Sequence, residues 1–173
     1  MTSKGYIHVY TGDGKGKTTA ALGLALRSAG HGMGVFIGQF MKGIQYGEIH
    51  ALSHIPGIEI EQFGDEVCIR REDVTDMHRE HGRRGLKVIE EVMARKKHKV
   101  VIMDEICVTL WFGILTLAEV MTVIREKPDD IELVLTGRRA PKELIDSADL
   151  VTEMREIKHY YTKGVLARDG IER

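Results

Sequence analysis

Apolar residues in this chain fall into two kinds of block, and their alternation predicts the architecture. Tyr6–Tyr10, Val35–Phe40, Ile58–Phe63 and Lys99–Met103 are short β-prone runs. The last is Val, Val, Ile and Met flanked by charge, the pattern of a strand buried on both faces. Between them, Lys17–Ala29 (Ala21, Leu22, Ala25, Leu26) and Thr75–Arg95 (Val88, Ile89, Val92, Met93) repeat at helical spacing. Glu48–His54 reads as a short helix stopped by Pro56-Gly57, and Gly64–Val74 as a polar loop. Thr116-Leu117-Ala118-Glu119 has capping-box spacing and opens a helix reaching about Glu126. Leu133–Leu135 is the next strand, and Pro141 suits the first turn of a short helix ending near Asp146. Leu150–Ile157 reads as a last strand and Lys158–Arg173 as a polar tail. Strands alternating with helices, without repeat or composition shift, predict one domain over residues 1–173. Its class is α/β, with a mostly parallel sheet flanked by helices, since parallel strands need helical crossovers.

Composition narrows the function classes without choosing one. Of 173 residues, 25 are Lys or Arg and 26 Asp or Glu, for a formal charge of −1, so no general attraction to nucleic acid or membrane surfaces is expected. The 43% hydrophobic content supports a folded core. Cys68 and Cys107 are too few for a disulfide scaffold or a four-cysteine metal site, and ordinary thiols are expected. The N-terminus does not resemble a signal peptide, and no run approaches the roughly 18 apolar residues of a membrane span. The richest, Ile106–Leu115, is broken by Thr109 and Gly113. A cytoplasmic, soluble protein is expected. Glycine is abundant, 19 against 3 prolines, and sits at junctions between periodic segments.

The densest glycines carry chemistry. Thr11-Gly12-Asp13-Gly14-Lys15-Gly16-Lys17-Thr18-Thr19 lies between the first strand and the first helix. Glycines there let consecutive N–H groups turn around a phosphate, and the helix N-terminus adds its unpaired donors and positive dipole end. Lys17 is expected to reach phosphate oxygens as an exposed loop side chain, and Thr18 to ligate magnesium. A full Walker A pattern carries glycine at position 11, so this is the tighter form Gly-x-Gly-Lys-Gly-Lys-Thr. Val100-Val101-Ile102-Met103-Asp104-Glu105 has the form of a Walker B strand, delivering two carboxylates to the sheet edge where ligands bind. One acid suits the magnesium, and the other suits the metal's water or the loop. Together the two motifs predict binding of a nucleoside triphosphate in a P-loop, RecA-like fold.

Other signals are weaker. The pairs His50/His54 and His78/His81 have helical spacing but no third ligand, and read as exposed histidines. Arg79, Arg83, Arg84 and Lys87 read as a solvated helix face. Trp111 and Phe112 either pack in the core or line a pocket over the nucleotide.

The ordered set of motifs resembles a family. It comprises Val9–Ala21, Gly30-His31-Gly32, Gln39–Gly43, Met103-Asp104-Glu105, Leu135–Arg138, Ala148–Met154, Ile157-Lys158-His159 and Gly164–Ile171. The chain is similar, from about Tyr6 onward, to the P-loop corrinoid adenosyltransferases (ATP:cob(I)alamin adenosyltransferases). The resemblance implies transfer of the 5′-deoxyadenosyl group of ATP to Co(I) of a reduced corrinoid, with release of triphosphate. It implies ATP lying reversed relative to ordinary P-loop enzymes, held by Gly12, Asp13, Gly14, Lys15, Gly16, Lys17, Thr18 and Thr19. Magnesium, or manganese, is implied on Thr18 and Glu105, with Lys17 and Glu105 as the catalytic pair. A homodimer, and a flavoprotein reductase supplying Co(I), are the implied partners. The chain departs from the family pattern at several points. Only Met1–Lys4 precede the first strand, where longer members carry a segment that helps cover the corrinoid. Phe63 is followed by Gly64-Asp65-Glu66, where some members place two aromatics that displace cobalt's lower ligand. Arg139 stands in place of a common glycine, and Asp13, inside the loop, is expected to face solvent. Two alternatives stay open: a P-loop NTPase or small-molecule kinase, which releases a nucleoside diphosphate, and a non-catalytic ATP-binding regulator.

Overall fold

The computed structural model describes residues 4–66 and 69–172. The chain runs β1 (Ile7–Thr11), α1 (Lys17–Gly30), β2 (Val35–Phe40), α2 (Gly47–Ser53) and β3 (Ile58–Phe63). It continues through α3 (Asp76–Arg95), β4 (Val100–Asp104), α4 (Ile106–Trp111) and α5 (Leu117–Arg125) to β5 (Glu132–Thr136), α6 (Lys142–Ser147) and β6 (Leu150–Glu153). Among the described residues the six strands form one sheet in the order β3-β2-β4-β5-β1-β6, and every pairing is parallel. The strand C-termini therefore share one edge, where β1 leads into the glycine loop and β4 into the two acids.

Strand alternation divides the core between the two faces of the sheet. Phe36, Phe40, Val101 and Met103 pack with Leu86, Ile89, Val92 and Met93 of α3 and with Val120, Val123 and Ile124 of α5. Val35, Ile37, Val100, Ile102 and Val134 meet Ala21 and Ala25 of α1 on the other face. Every residue of β2 and β4 is buried, as central parallel strands require, whereas edge strand β6 is exposed at all four positions. Helix α3 reaches its face only because residue 85 is glycine. A Cβ there would lie 2.7 Å from ring atoms of both Phe40 and Phe63. Phe63 is thus a core residue, tilted against Phe40 at 5.3 Å.

Two sequence expectations need correction, and one element had no expectation attached to it. The run after Asp104-Glu105 is helix α4, which the apolar stretch from Ile106 did not reveal as a separate element. β6 stops at Glu153 instead of Ile157, because the chain then turns across the glycine loop: the Met154 N–H donates to Thr11 O and its carbonyl accepts from Gly14 N. His78 and His81 are not free surface histidines. The Thr75 N–H donates to His78 Nδ1, closing the cap of α3, while His78 Nε2 and His81 Nδ1 lie 3.1 and 3.4 Å from Asp65. The Thr116–Glu119 capping box forms as expected, and His50 and His54 are exposed. Arg79 and Arg83 are paired with Asp76 and Glu119 on the surface. Cys68 lies outside the described residues. Cys107 is fully buried, and burial pushes its thiol up to about 12. No helix among the described residues is long and apolar enough to cross a membrane.

Candidate functional site

β1 ends at Thr11, and the loop that follows is held from behind by the chain leaving β6. Gly14 N–H donates to Met154 O at 2.7 Å. Gly12, at φ 95°, passes so close that a Cβ would lie 2.4 Å from that same carbonyl. Any side chain here would push the loop off its support. Asp13 faces solvent, as expected. Lys17, the first residue of α1, does not. It is only 7% exposed, and its ammonium donates to Gly14 O at 2.7 Å within the loop. Burial, then the charge of Arg138, holds its pKa below the ordinary lysine value.

Lys15 points elsewhere. Its ammonium donates to Ile171 O at 2.8 Å, to Glu172 Oε1 at 2.9 Å and to Tyr160 OH at 3.4 Å. Glu172 also accepts from the Arg168 N–H and guanidinium, and these donors hold its carboxyl far below the usual range. The polar tail is therefore a folded segment tied onto the phosphate loop. If Lys15 acts as that tie, Lys15→Met and Glu172→Gln both speed tryptic cleavage within residues 155–168, Glu172→Gln the more because it also releases Arg168, and the double variant falls short of the sum of the two. Additive effects would mean the two side chains act independently.

At the end of β4, Asp104 is fully buried and saturated. Oδ1 accepts from the hydroxyls of Thr18 at 2.8 Å and Thr136 at 2.6 Å; Oδ2 accepts from Lys42 at 2.9 Å and Gln39 at 3.1 Å. Gln62 donates in turn to Gln39 Oε1. Burial opposes the Lys42 charge, but Asp104 and Glu105 outweigh it and raise its pKa. Glu105 sits in the left-handed region at φ 62°, with its N–H donating to Thr136 Oγ1. Burial, then the charge of Asp104, raises the Glu105 pKa above the ordinary carboxylate value. Thr136 thus bridges the two acids from β5, the strand between β4 and β1.

Two cavities meet at this edge. One, of about 860 Å³, is lined by Lys15, Lys17, Thr18, Thr19, Glu105 and Arg138, with Ile171 and Glu172 of the folded-back segment. The second, of about 390 Å³, is walled largely by Met41, Ile44, Val108, Trp111 and Phe112. Lys42, Tyr46, Glu105 and Arg138 line both. Trp111 and Phe112 therefore line a pocket, and Phe112 also packs against the core, so for it both sequence readings hold. The structure brings together Gly14, Lys15, Gly16, Lys17, Thr18, Thr19 and Glu105, while Gly12 and Asp13 do not line the cavity. Sequence reasoning gave no role to Gln39, Lys42, Thr136 or Arg138. The signal was present at the first three: polar residues at the C-terminal ends of otherwise apolar runs.

Comparison with known proteins bears on this geometry. Residues 3–173 match the family model described as ATP:corrinoid adenosyltransferase BtuR/CobO/CobP. The chain is 36% identical to a corrinoid adenosyltransferase of Sinorhizobium sp, over 98% of this chain and 80% of that protein. It is 34% identical to the corrinoid adenosyltransferases of Salmonella typhimurium and Escherichia coli, over 98% of this chain and 86% of each. An uncharacterised Nostoc protein is 35% identical over 90% of this chain, which spans only 45% of its length. A parallel α/β sheet with a glycine phosphate loop facing a carboxylate pair, matched to one family model over almost its whole length, belongs to the ATP:corrinoid adenosyltransferase family of transferases.

Proposed function

We propose that this protein, acting as one domain, transfers the 5′-deoxyadenosyl group of ATP to Co(I) of a reduced corrinoid and releases triphosphate. The observation that carries the reading is the pair of adjoining cavities. A charged one suits a polyphosphate, a mostly apolar one suits a macrocycle, and they share a wall at Lys42, Tyr46, Glu105 and Arg138. Two substrates seated there meet across that wall, which is the proximity that a direct displacement needs.

The reaction asks little nucleophilic chemistry of the protein. Co(I) in the substrate supplies the electron pair that forms the Co–C bond to C5′. The C5′–O bond breaks, and its pair leaves with triphosphate. Lys17 and Arg138 offset charge on the departing chain. The buried Cys107, with its pKa raised to about 12, takes no part. The donor set fits a hard divalent cation: Thr18 offers a hydroxyl, and Glu105 is a half-buried carboxyl destabilised by its acidic neighbour. Magnesium bound there by Thr18 and Glu105 would neutralise phosphate charge. Asp104, already saturated by protein donors, holds the loop against the acid strand. The Co(I) substrate calls for a strong reductant, for which a flavoprotein reductase is the expected partner. A cytoplasmic homodimer is the expected form.

The deciding experiment is anaerobic incubation of the protein with Mg-ATP and chemically reduced cobalamin, followed by spectroscopy and phosphate analysis. The reading expects a Co–C bond spectrum and intact triphosphate. ADP with phosphate and no adenosylcorrin would point to an NTPase or kinase, and unchanged ATP to a non-catalytic binder.

Glu105 gives a prediction with a defined sign. The folded chain retains this proton to higher pH than the unfolded chain does. The associated stability is complete below the unfolded pKa and is lost as pH rises through the folded one. Glu105→Gln therefore raises the melting temperature of the nucleotide-free protein at neutral pH while weakening metal-dependent ATP binding. Thermal melts and magnesium titrations check both halves. A lower melting temperature in the variant would contradict the assigned charge conflict.

A further inference from the structure

The apolar chamber carries a feature that neither polyphosphate binding nor the fold accounts for. Two arginines from separate loops converge on one indole. Arg71 comes from the 3-10 turn between β3 and α3, and its guanidinium carbon lies 5.6 Å from the ring centroid of Trp111. Arg139 comes from the loop after β5 and lies 4.4 Å from the same centroid. Both are exposed, and among the described residues neither forms an ion pair or a hydrogen bond. Arg138 lines the chamber itself beside Glu105, whose carboxyl feels its charge.

Backbone conformation sharpens the point. Arg139 occupies φ 58°, in the left-handed region that favours glycine. A β-carbon there is strained, and among the described residues no salt bridge to Arg139 is gained in return. What the arrangement supplies is orientation. The indole face restrains two long side chains at one spot while leaving their N–H donors unpaired among the described residues. Guanidinium forks held in this way match the two oxygens of a carboxylate or phosphodiester. The nearest cavity is mostly apolar, so the complementary ligand is an apolar body with an oxyanion on its periphery.

We propose that Arg71 and Arg139, held by Trp111, read an anionic oxygen group at the rim of the second substrate. They thereby set a preference for corrinoids that carry a peripheral phosphodiester or carboxylate over those whose side chains are all amides. This specificity role rests on the adenosyl-transfer reading above.

The test compares three chemically reduced corrinoids with Mg-ATP and the full chain. They are cobalamin (phosphodiester), cobyric acid (free carboxylate) and cobinamide (neither). Arg71→Gln/Arg139→Gln should lower kcat/KM by roughly tenfold for each guanidinium lost on the corrinoid that carries the recognised group. The loss should lie in the corrinoid KM, with cobinamide and the KM for ATP unchanged. A loss confined to cobalamin identifies the phosphodiester, one confined to cobyric acid identifies the carboxylate, and a loss on both identifies any oxyanion at that rim. Trp111→Phe keeps a ring under the guanidiniums and should preserve the discrimination, whereas Trp111→Ala should abolish it. Equal losses on all three corrinoids, or no loss on any, would overturn the proposal while leaving adenosyl transfer standing. If the parent protein forms no Co–C bond with any corrinoid, the functional reading itself fails and this inference falls with it.

Discussion

Replacing Lys17 with methionine should lower adenosyl transfer by roughly 10²–10³-fold, the scale seen when one group that stabilises developing charge is removed. The fold should survive, although not for the reason the sequence suggests. An exposed loop lysine would be dispensable because it touches nothing; this one is buried and donates to Gly14 O. Methionine follows the same apolar path and removes a charge that burial and Arg138 already disfavour. The variant's melting temperature should therefore match or slightly exceed that of the parent. Measuring triphosphate release beside a thermal melt separates the two effects. Near-parental turnover would contradict the role given to this ammonium.

Asp104→Ala should have the largest effect on stability, about 3–5 kcal/mol, because it strands a mostly buried Lys42 ammonium without its counter-charge. Three more donors lose their acceptor at once: Thr18, Thr136 and Gln39. For a chain of this length that corresponds to a fall of roughly 10 °C in Tm. Asp104→Asn keeps the shape and one acceptor and should fall in between. Denaturant melts of both variants check the order, and an alanine variant as stable as the parent would show the network contributes nothing. The adjacent Glu105 has the opposite sign on neutralisation. One acid holds the site together, and its neighbour is held in tension by the site.

Much of this was legible in the chain. Val35–Phe40 and Ile58–Phe63 match the observed strands to the residue, because apolar runs bounded by Gly34, Pro56-Gly57 and Gly64 leave little freedom in their limits. The glycine loop and the acid pair were legible because each is a contiguous solution to one chemical task. Helix α4 was not, since Ile106–Trp111 is apolar at almost every position and has no polar face to mark a helical period. Lys42 and Thr136 escaped for a different reason. A polar residue at the end of an apolar run marks each position, but its meaning lies in a shared contact with Asp104 across the sheet, and no local spacing names that partner. The tie between Lys15 and Glu172 spans 157 positions and joins two segments that separately read as loop and tail.

The strand order also constrains how the chain can assemble. β5 lies between β4 and β1 yet follows both in sequence. As the polypeptide emerges from a ribosome, the phosphate loop and the acid strand are complete before the strand that spaces them exists. Until β5 arrives, β1 has no strand partner, since among the described residues it pairs with β5 and β6 alone, and Asp104 lacks one of its donors. A nascent chain stalled short of that point must either hold a gap or close it by wrong pairing. Ribosome-bound chains should therefore acquire nucleotide binding only once β5, and then β6 with Met154 behind the glycine loop, have cleared the exit tunnel.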